Sequence, residues 1–379
     1  MWKVQLFELN FDERETDAVK EVLESKWITM GEKAKEFENQ FSNMLGDNVF
    51  SVAVSSCTAG LHISLLSLGI GQGDEVIVPS LTFVADINVV RLVGAKPVLA
   101  DCESFENWNM SEKTIKSVLT NNTKAIMLVH FGGYPCEMDN IINLCKEKNL
   151  YLIEDCAHVP GAKYKGKSCG TFGDYGCFSF FTNKNLSIGE GGMITTTNEK
   201  LFQKAGYLRS HGMTHLTLER YKGRAISYDV VESGLNYRVD EIRAAIGIVQ
   251  LEKLKLSNER RKKLVERYIE NLKGIKTISI PFLNLPDIEP VYHIFPILLR
   301  EDINRNSIIE GLKKEGIQTS IHYPSFKNFT AFKNLKLNDT PIAENISKRE
   351  LTLPLYPTMS FEQVDFVCEG LIRTLKELE

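Results

Sequence analysis

Between residues 50 and 200 the chain repeats one pattern: a short β-branched run, a helix-forming stretch, then another β-branched run. This rhythm limits the fold more than any other feature, because strands joined through helices pair in parallel and are covered by those helices on both faces. It predicts strands over 50–54, 75–78, 97–100, 124–129, 150–154, 176–180 and 193–197, a mainly parallel seven-stranded sheet. A helix is predicted over 58–68, where Leu61, Leu65 and Leu68 share one face ahead of Gly69, and another over 138–148. From residue 239 a strongly helix-forming stretch continues through a charged segment, as expected of one long helix leaving the first unit. Beyond it, strand-like VYHIFPILL and helical NSIIEGLKKEG and SFEQVDFVCEGLIRTLKEL describe a smaller lobe. The expected architecture is α/β, with a large domain over 1–250 and a small C-terminal α/β domain over 251–379.

Composition narrows the function classes. With 43% hydrophobic residues in 379, there is enough apolar material for a core of this size, which excludes disorder and fibres. The net charge of −4 offers no basic excess for nucleic acid or an anionic membrane surface. No apolar run approaches the roughly 18 residues of a membrane span, and the first residues read neither as a secretory signal nor as a transit peptide. A cytoplasmic location is therefore expected. The eight cysteines contain no CxxC pair, so zinc-ribbon and thioredoxin readings lack their spacing and buried, reduced thiols are expected.

Open α/β sheets bind ligands beyond the carboxyl ends of their strands, so the loops after the predicted strands are the places to search. After the first comes Ser55-Ser56-Cys57-Thr58-Ala59-Gly60, whose small residues lead into a helix and expose backbone N–H groups to an anion such as phosphate. An ordinary Ser or Thr N-cap accounts for the same residues. After 150–154 stands Glu154-Asp155-Cys156-Ala157-His158, an acidic pair where little solvent reaches. A buried carboxylate needs a cationic partner; a protonated pyridine nitrogen is one, a structural ion pair another. Phe178-Ser179-Phe180-Phe181-Thr182-Asn183-Lys184 then leads to Gly189-Glu190-Gly191-Gly192 and a further strand. A lysine set among aromatic and small residues in a cleft loses hydration, which lowers its amine pKa as a Schiff-base lysine requires.

These three segments, in this order and at these intervals, resemble the fold-type I pyridoxal-phosphate enzymes, and specifically the DegT/StrS family of sugar-nucleotide aminotransferases. The resemblance extends over nearly the whole chain. It includes Glu24-Ser25-Lys26-Trp27-Ile28-Thr29-Met30-Gly31 with Phe37-Glu38, and Gly71-Gln72-Gly73-Asp74-Glu75-Val76-Ile77-Val78-Pro79 with Thr82-Phe83. Gly234-Leu235-Asn236-Tyr237-Arg238, His322-Tyr323-Pro324 and Leu353-Pro354-Leu355 match as well.

The resemblance implies a role for each matching residue. Lys184 corresponds to the lysine that holds pyridoxal 5'-phosphate as an internal aldimine and then shuttles the proton. Asp155 corresponds to the carboxylate on the pyridine nitrogen, Phe83 to the aromatic residue stacked on the ring, and His158 to a position near the ring hydroxyl often held by glutamine. Backbone N–H groups of Cys57 and Thr58 and the Ser179 hydroxyl correspond to the phosphate site; relatives usually carry glycine where Cys57 stands. Asn236 matches an asparagine that reaches the coenzyme phosphate of a neighbouring subunit, which implies a homodimer with shared sites. Thr29, Met30, Glu190, Arg238, His322 and Tyr323 occupy positions near the substrate. The implied reaction moves an amino group from L-glutamate to a nucleotide-linked keto sugar through pyridoxamine phosphate, without a metal. Two alternatives stand beside it. A sugar dehydratase of the same family carries histidine in place of the Schiff-base lysine, against which Lys184 argues. A non-catalytic coenzyme-binding regulator would keep the fold and lose turnover. The stretch from Ser210 through His215 to Tyr228 reads as a polar loop over the site.

Overall fold

The computed structural model describes residues 2–214, 223 and 227–378. The chain opens with two helices, α1 (Glu13–Ser25) and α2 (Glu32–Leu45), before the predicted alternation begins. That alternation runs β1 (Phe50–Val54), α3 (Cys57–Ser67), β2 (Glu75–Pro79), α4 (Ala85–Leu92), β3 (Lys96–Ala100), α5 (Glu112–Lys116), β4 (Thr123–Val129), α6 (Met138–Lys148) and β5 (Tyr151–Asp155). A short hairpin, β6 (Lys163–Tyr164) and β7 (Lys167–Ser168), precedes β8 (Tyr175–Ser179), β9 (Gly192–Thr196) and α7 (Glu199–Arg209). Each of the seven predicted sheet strands lies within a residue or so of its expected place.

The seven-stranded sheet has the order β1-β9-β8-β5-β4-β2-β3. Strands β3, β2, β4, β5 and β8 pair in parallel, and β9 pairs antiparallel with both β8 and β1, so β9 alone runs against the rest. Side-chain alternation divides the strand residues between two apolar layers. One layer packs Val52, Val76, Met127 and Ile153 on α3, α4 and α7. The other packs Ala53, Phe178 and Met193 on Phe37 and Phe41 of α2, and further along Ile126 and Leu128 on Ile141 and Leu144 of α6.

A helix of 32 residues, α8 (Glu241–Leu272), links the two lobes. Its first half packs Ala244 and Ile248 on the α2 side of the sheet, and its second half packs Leu264, Val265 and Tyr268 into a separate apolar cluster. That second cluster also takes residues from β10 (Phe295–Leu299), from helices at 305–315 and 361–378, and Val4. Residue 250 thus lies inside a continuous helix. No helix among the described residues is long and apolar enough to cross a membrane.

Alternation also sends the two acids at the end of β5 to opposite sides. Glu154 is fully buried and accepts N–H bonds from Gly170, Phe172 and Gly173 at 2.7–2.9 Å, with His130 Nε2 at 3.1 Å. Together they tie down the loop that leads into β8. His130, Glu154 and Cys156 bring three possible metal-ligand atoms together, but these hydrogen bonds already occupy both Glu154 oxygens. Glu154→Ala would orphan three backbone donors, of which Gly170 is buried and the other two half-buried, and is expected to cost about 3–5 kcal/mol, measured by urea unfolding; a loss under about 1 kcal/mol would contradict this anchoring role.

Candidate active site

Six strands end on the same edge of the sheet, and residues at or beyond the ends of β1, β2, β5 and β8 converge. At the end of β1, Ser56 caps α3 by accepting from Ala59 N at 3.1 Å. The Cys57 and Thr58 N–H groups of that first turn have no acceptor among the described residues. Gly192 at the start of β9 allows this approach: a Cβ there would lie 2.5 Å from Ser56 C and 2.6 Å from Cys57 N. The Cys57 side chain turns inward, its thiol donating to Cys177 O at 3.3 Å, so a cysteine in place of the usual glycine leaves the backbone donors free.

Asp155 closes β5, 5% exposed, accepting from Ala157 N at 2.8 Å. No cation forms an ion pair with it among the described residues, and burial raises its carboxyl. Beside it lies Asp86 on α4, fully buried, with Oδ2 accepting from Thr82 Oγ1 at 2.6 Å and Oδ1 without a partner. Two carboxyls in one dry pocket cannot both ionise. Burial, and then the Asp155 charge, push Asp86 well above the usual range, so of the two Asp86 is the one that keeps the proton.

Lys184 lies in the loop between β8 and β9, its N–H bonded to Phe181 O at 2.8 Å. Burial brings its amine down to about 8, against the opposing pull of Asp155. Three imidazoles surround this amine, and burial pushes all three below the usual histidine range, His322 to about 3. His158 accepts from Gly132 N through Nδ1 at 3.2 Å and meets Tyr323 Oη through Nε2 at 3.2 Å. His293 stacks on His158 with centroids 4.4 Å apart and faces Lys184 Nζ at 3.5 Å. His322 is fixed through Nδ1 to Thr352 Oγ1 at 2.8 Å, and Thr352 in turn bonds Glu350, whose buried carboxyl is raised to about 8. Phe83, 55% exposed, presents its ring 5.9 Å from Tyr323, and Ser179 is buried at the end of β8.

Cys57, Thr58, Phe83, Asp155, His158, Ser179, Lys184, His322 and Tyr323 therefore gather at one sheet edge. The others stand apart within the single chain. Met30 is buried against Phe37 and Ala34, and Thr29 and Glu190 are exposed. Asn236 is exposed at a bridge to Ser210, while Arg238 is half-buried near Arg209, and burial lowers its guanidinium. No hydrogen bond or ion pair joins these residues to Lys184 or Asp155 among the described residues. Of the loop predicted over the site, residues 215–222 and 224–226 lie outside the described residues.

Sequence reasoning passed over Asp86 and His293. Both carried a signal: Asp86 is an acid inside the apolar run FVADINVV, and His293 is a polar residue at the head of VYHIFPILL. A residue that interrupts an apolar run needs a buried partner.

The proton on Asp86 has a pH signature. The folded chain holds it more tightly than the unfolded chain, so the stabilisation is full below roughly pH 4 and is lost as pH rises through the raised folded value. Asp86→Asn keeps a donor and removes the titration. The melting temperature of Asp86→Asn relative to the unmodified protein is expected to rise between pH 5 and pH 8.5; a difference constant with pH would mean that Asp86 is ionised in the fold.

Comparison with known proteins gives consistent matches. Residues 10–372 match the DegT/DnrJ/EryC1/StrS aminotransferase family. GDP-perosamine synthase of Escherichia coli O157:H7 is 36% identical over 370 residues, 97% of each chain. The spore coat polysaccharide biosynthesis protein SpsC of Bacillus subtilis is 37% identical over 368 residues, 94% of this chain and 93% of its own. Among solved structures, Spr1654 of Streptococcus pneumoniae is 29% identical and superposes with TM-scores of 0.92 in its PMP form and 0.91 in its PLP form, with all of this chain and 100% and 99% of those chains covered.

Proposed function

The chain belongs to the DegT/DnrJ/EryC1/StrS aminotransferase family, which makes it a pyridoxal-phosphate-dependent sugar aminotransferase, and from that premise we propose that it moves an amino group from L-glutamate to a keto group of a nucleotide-linked deoxy keto sugar. The observation that carries this reading is the Lys184 amine, held in one dry cleft with Asp155 and surrounded by uncharged imidazoles. An amine so placed loses its proton near neutral pH and can act both as nucleophile and as base.

The residues present fit the coenzyme. Asp155 is a buried carboxylate without a cation among the described residues, and the first turn of α3 offers two N–H groups without acceptors. In this reading the Cys57 and Thr58 N–H groups and the Ser179 hydroxyl would hold the phosphate, and Phe83 would cover a ring face. Asp155 would keep a proton on the ring nitrogen, its own charge maintained by the acid Asp86. His158, as a neutral donor, would face the ring oxygen. Pyridoxal phosphate, when bound, supplies the carbonyl that takes up the amino group and the ring that stores the electron pair released at the donor carbon. Lys184 Nζ takes the α-proton from the donor and returns it during the second half of the cycle.

Thr29, Met30, Glu190, His322 and Tyr323 would border the sugar, and Arg238 would pair with the donor carboxylate through a two-pronged contact. Asn236 would serve the phosphate of a second subunit in a homodimer, which agrees with its exposure in the single chain. The exposed N-terminal apolar residues Trp2, Phe7, Leu9 and Phe11 are available to that partner. Eight free, buried cysteines agree with the reducing cytoplasm as the place of action.

Added pyridoxal phosphate should give a yellow visible band whose rate of formation rises with pH about a midpoint near 8, since only the neutral Lys184 amine attacks. L-glutamate should bleach that band and release 2-oxoglutarate. Lys184→Ala should abolish the band and cut turnover by more than about a thousandfold. A band that glutamate leaves unchanged would overturn the choice of donor, and a Lys184→Ala variant that still transaminates would overturn the assignment of the lysine.

A further inference from the structure

We propose that Asn258, Asn185 and His293 form a one-directional hydrogen-bond chain that fixes His293 as a proton acceptor facing Lys184, which makes His293 a positioning residue for the lysine amine. The proposal rests on the reading of Lys184 as the lysine that binds the coenzyme.

The direction of the chain follows from its anchors. Asn258 on α8 lies 3.0 Å from Pro160 O, and Asn185 lies 2.9 Å from Val291 O. A backbone carbonyl only accepts, so in both residues the atom facing the carbonyl is the amide nitrogen. The second hydrogen of the Asn185 amide goes to Asn258 Oδ1 at 2.9 Å. Both Asn185 hydrogens are then used, and its Oδ1, 3.1 Å from His293 Nδ1, can only accept. His293 therefore carries its proton on Nδ1 and turns the lone pair of Nε2 toward Lys184 Nζ, 3.5 Å away. That separation is at the outer edge of a hydrogen bond, and the flexible lysine stem can shorten it.

The stacked neighbour has the opposite arrangement. His158 Nδ1 accepts from Gly132 N, so its proton lies on Nε2 and points to Tyr323 Oη. The stack thus presents one donor and one acceptor to the cleft. A neutral Lys184 amine with two hydrogens gives one to His293 Nε2. When the amine gains a third hydrogen as ammonium the same bond persists, and when it returns that proton the bond is still in place. His293 gains and loses no proton; it holds the nitrogen in position while the hydrogen count changes from two to three and back.

The test begins with the unaltered full-length protein, labelled with ¹⁵N-histidine, without coenzyme and again with pyridoxamine phosphate bound. The nitrogen spectrum should show His293 protonated on Nδ1 and bare on Nε2, assigned by the signals lost in His293→Gln. A proton on Nε2 overturns the proposal, and this measurement requires neither turnover nor a variant that might misfold. In the glutamate half-reaction of the pyridoxal-phosphate-loaded enzyme, followed by bleaching of the visible band, His293→Leu should lower the limiting rate by about a hundredfold with the half-saturating glutamate concentration changed less than about threefold. His293→Gln, whose Oε1 can accept the same N–H, should recover to within about tenfold of the unaltered enzyme. Equal activity of the Leu and Gln variants overturns the positioning role. If the unaltered protein turns over no glutamate, the functional reading has failed, and the nitrogen spectrum still decides the direction of the chain.

Discussion

One constraint organises this molecule: a lysine amine and a carboxylate share a largely buried cleft, and each neighbouring ionisable group must be neutral or paired for that to be tolerated. Isolated charges in such surroundings are costly. Asp86 meets the requirement by keeping its proton, and the three imidazoles meet it by staying neutral. Among the described residues, the charges left to the cleft are those of Asp155 and, below about pH 8, of Lys184. A set of groups whose environments drive their proton affinities apart is the arrangement that acid–base chemistry at neutral pH needs.

The scaffold beneath the cleft exists to hold that set still. Strands deliver Cys57, Asp155 and Ser179 to one edge because six of the seven share a direction, and β9 runs against them to bring the glycine-rich turn back to the first turn of α3. Glu154, one residue from Asp155, serves the scaffold: its carboxylate holds the 170–173 loop from the opposite face of the sheet. Two adjacent acids thus have unrelated tasks because a strand turns consecutive side chains to opposite sides.

Much of this was legible in one dimension. The alternation of β-branched and helical stretches placed all seven sheet strands, since strand length and apolar runs are local properties. Lys184 stood out for its aromatic and small-residue surroundings and the glycine-rich turn after it, and Asp155 because it ends a strand beside a second acid. The resemblance then connected them. Asp86 and His293 stayed hidden: each looks like an isolated polar residue until its partner, distant in sequence, is known. His293 lies 109 residues from Lys184, and Asn258 lies 73 from Asn185. No local pattern encodes such pairings.

By itself, the amino-acid sequence determined the elements, their order and the mainly parallel character of the sheet, which follow from local propensity and periodicity. Through its resemblance to a family it also supplied the candidates proposed here for a phosphate, a ring nitrogen and a Schiff base. Only the tertiary structure decided the protonation of the site: which of two buried carboxyls keeps the proton, and which nitrogen of each imidazole is bare. The physical reason is that desolvation and hydrogen-bond direction depend on what surrounds a group in space, and here those surroundings come from both lobes and from opposite ends of the chain.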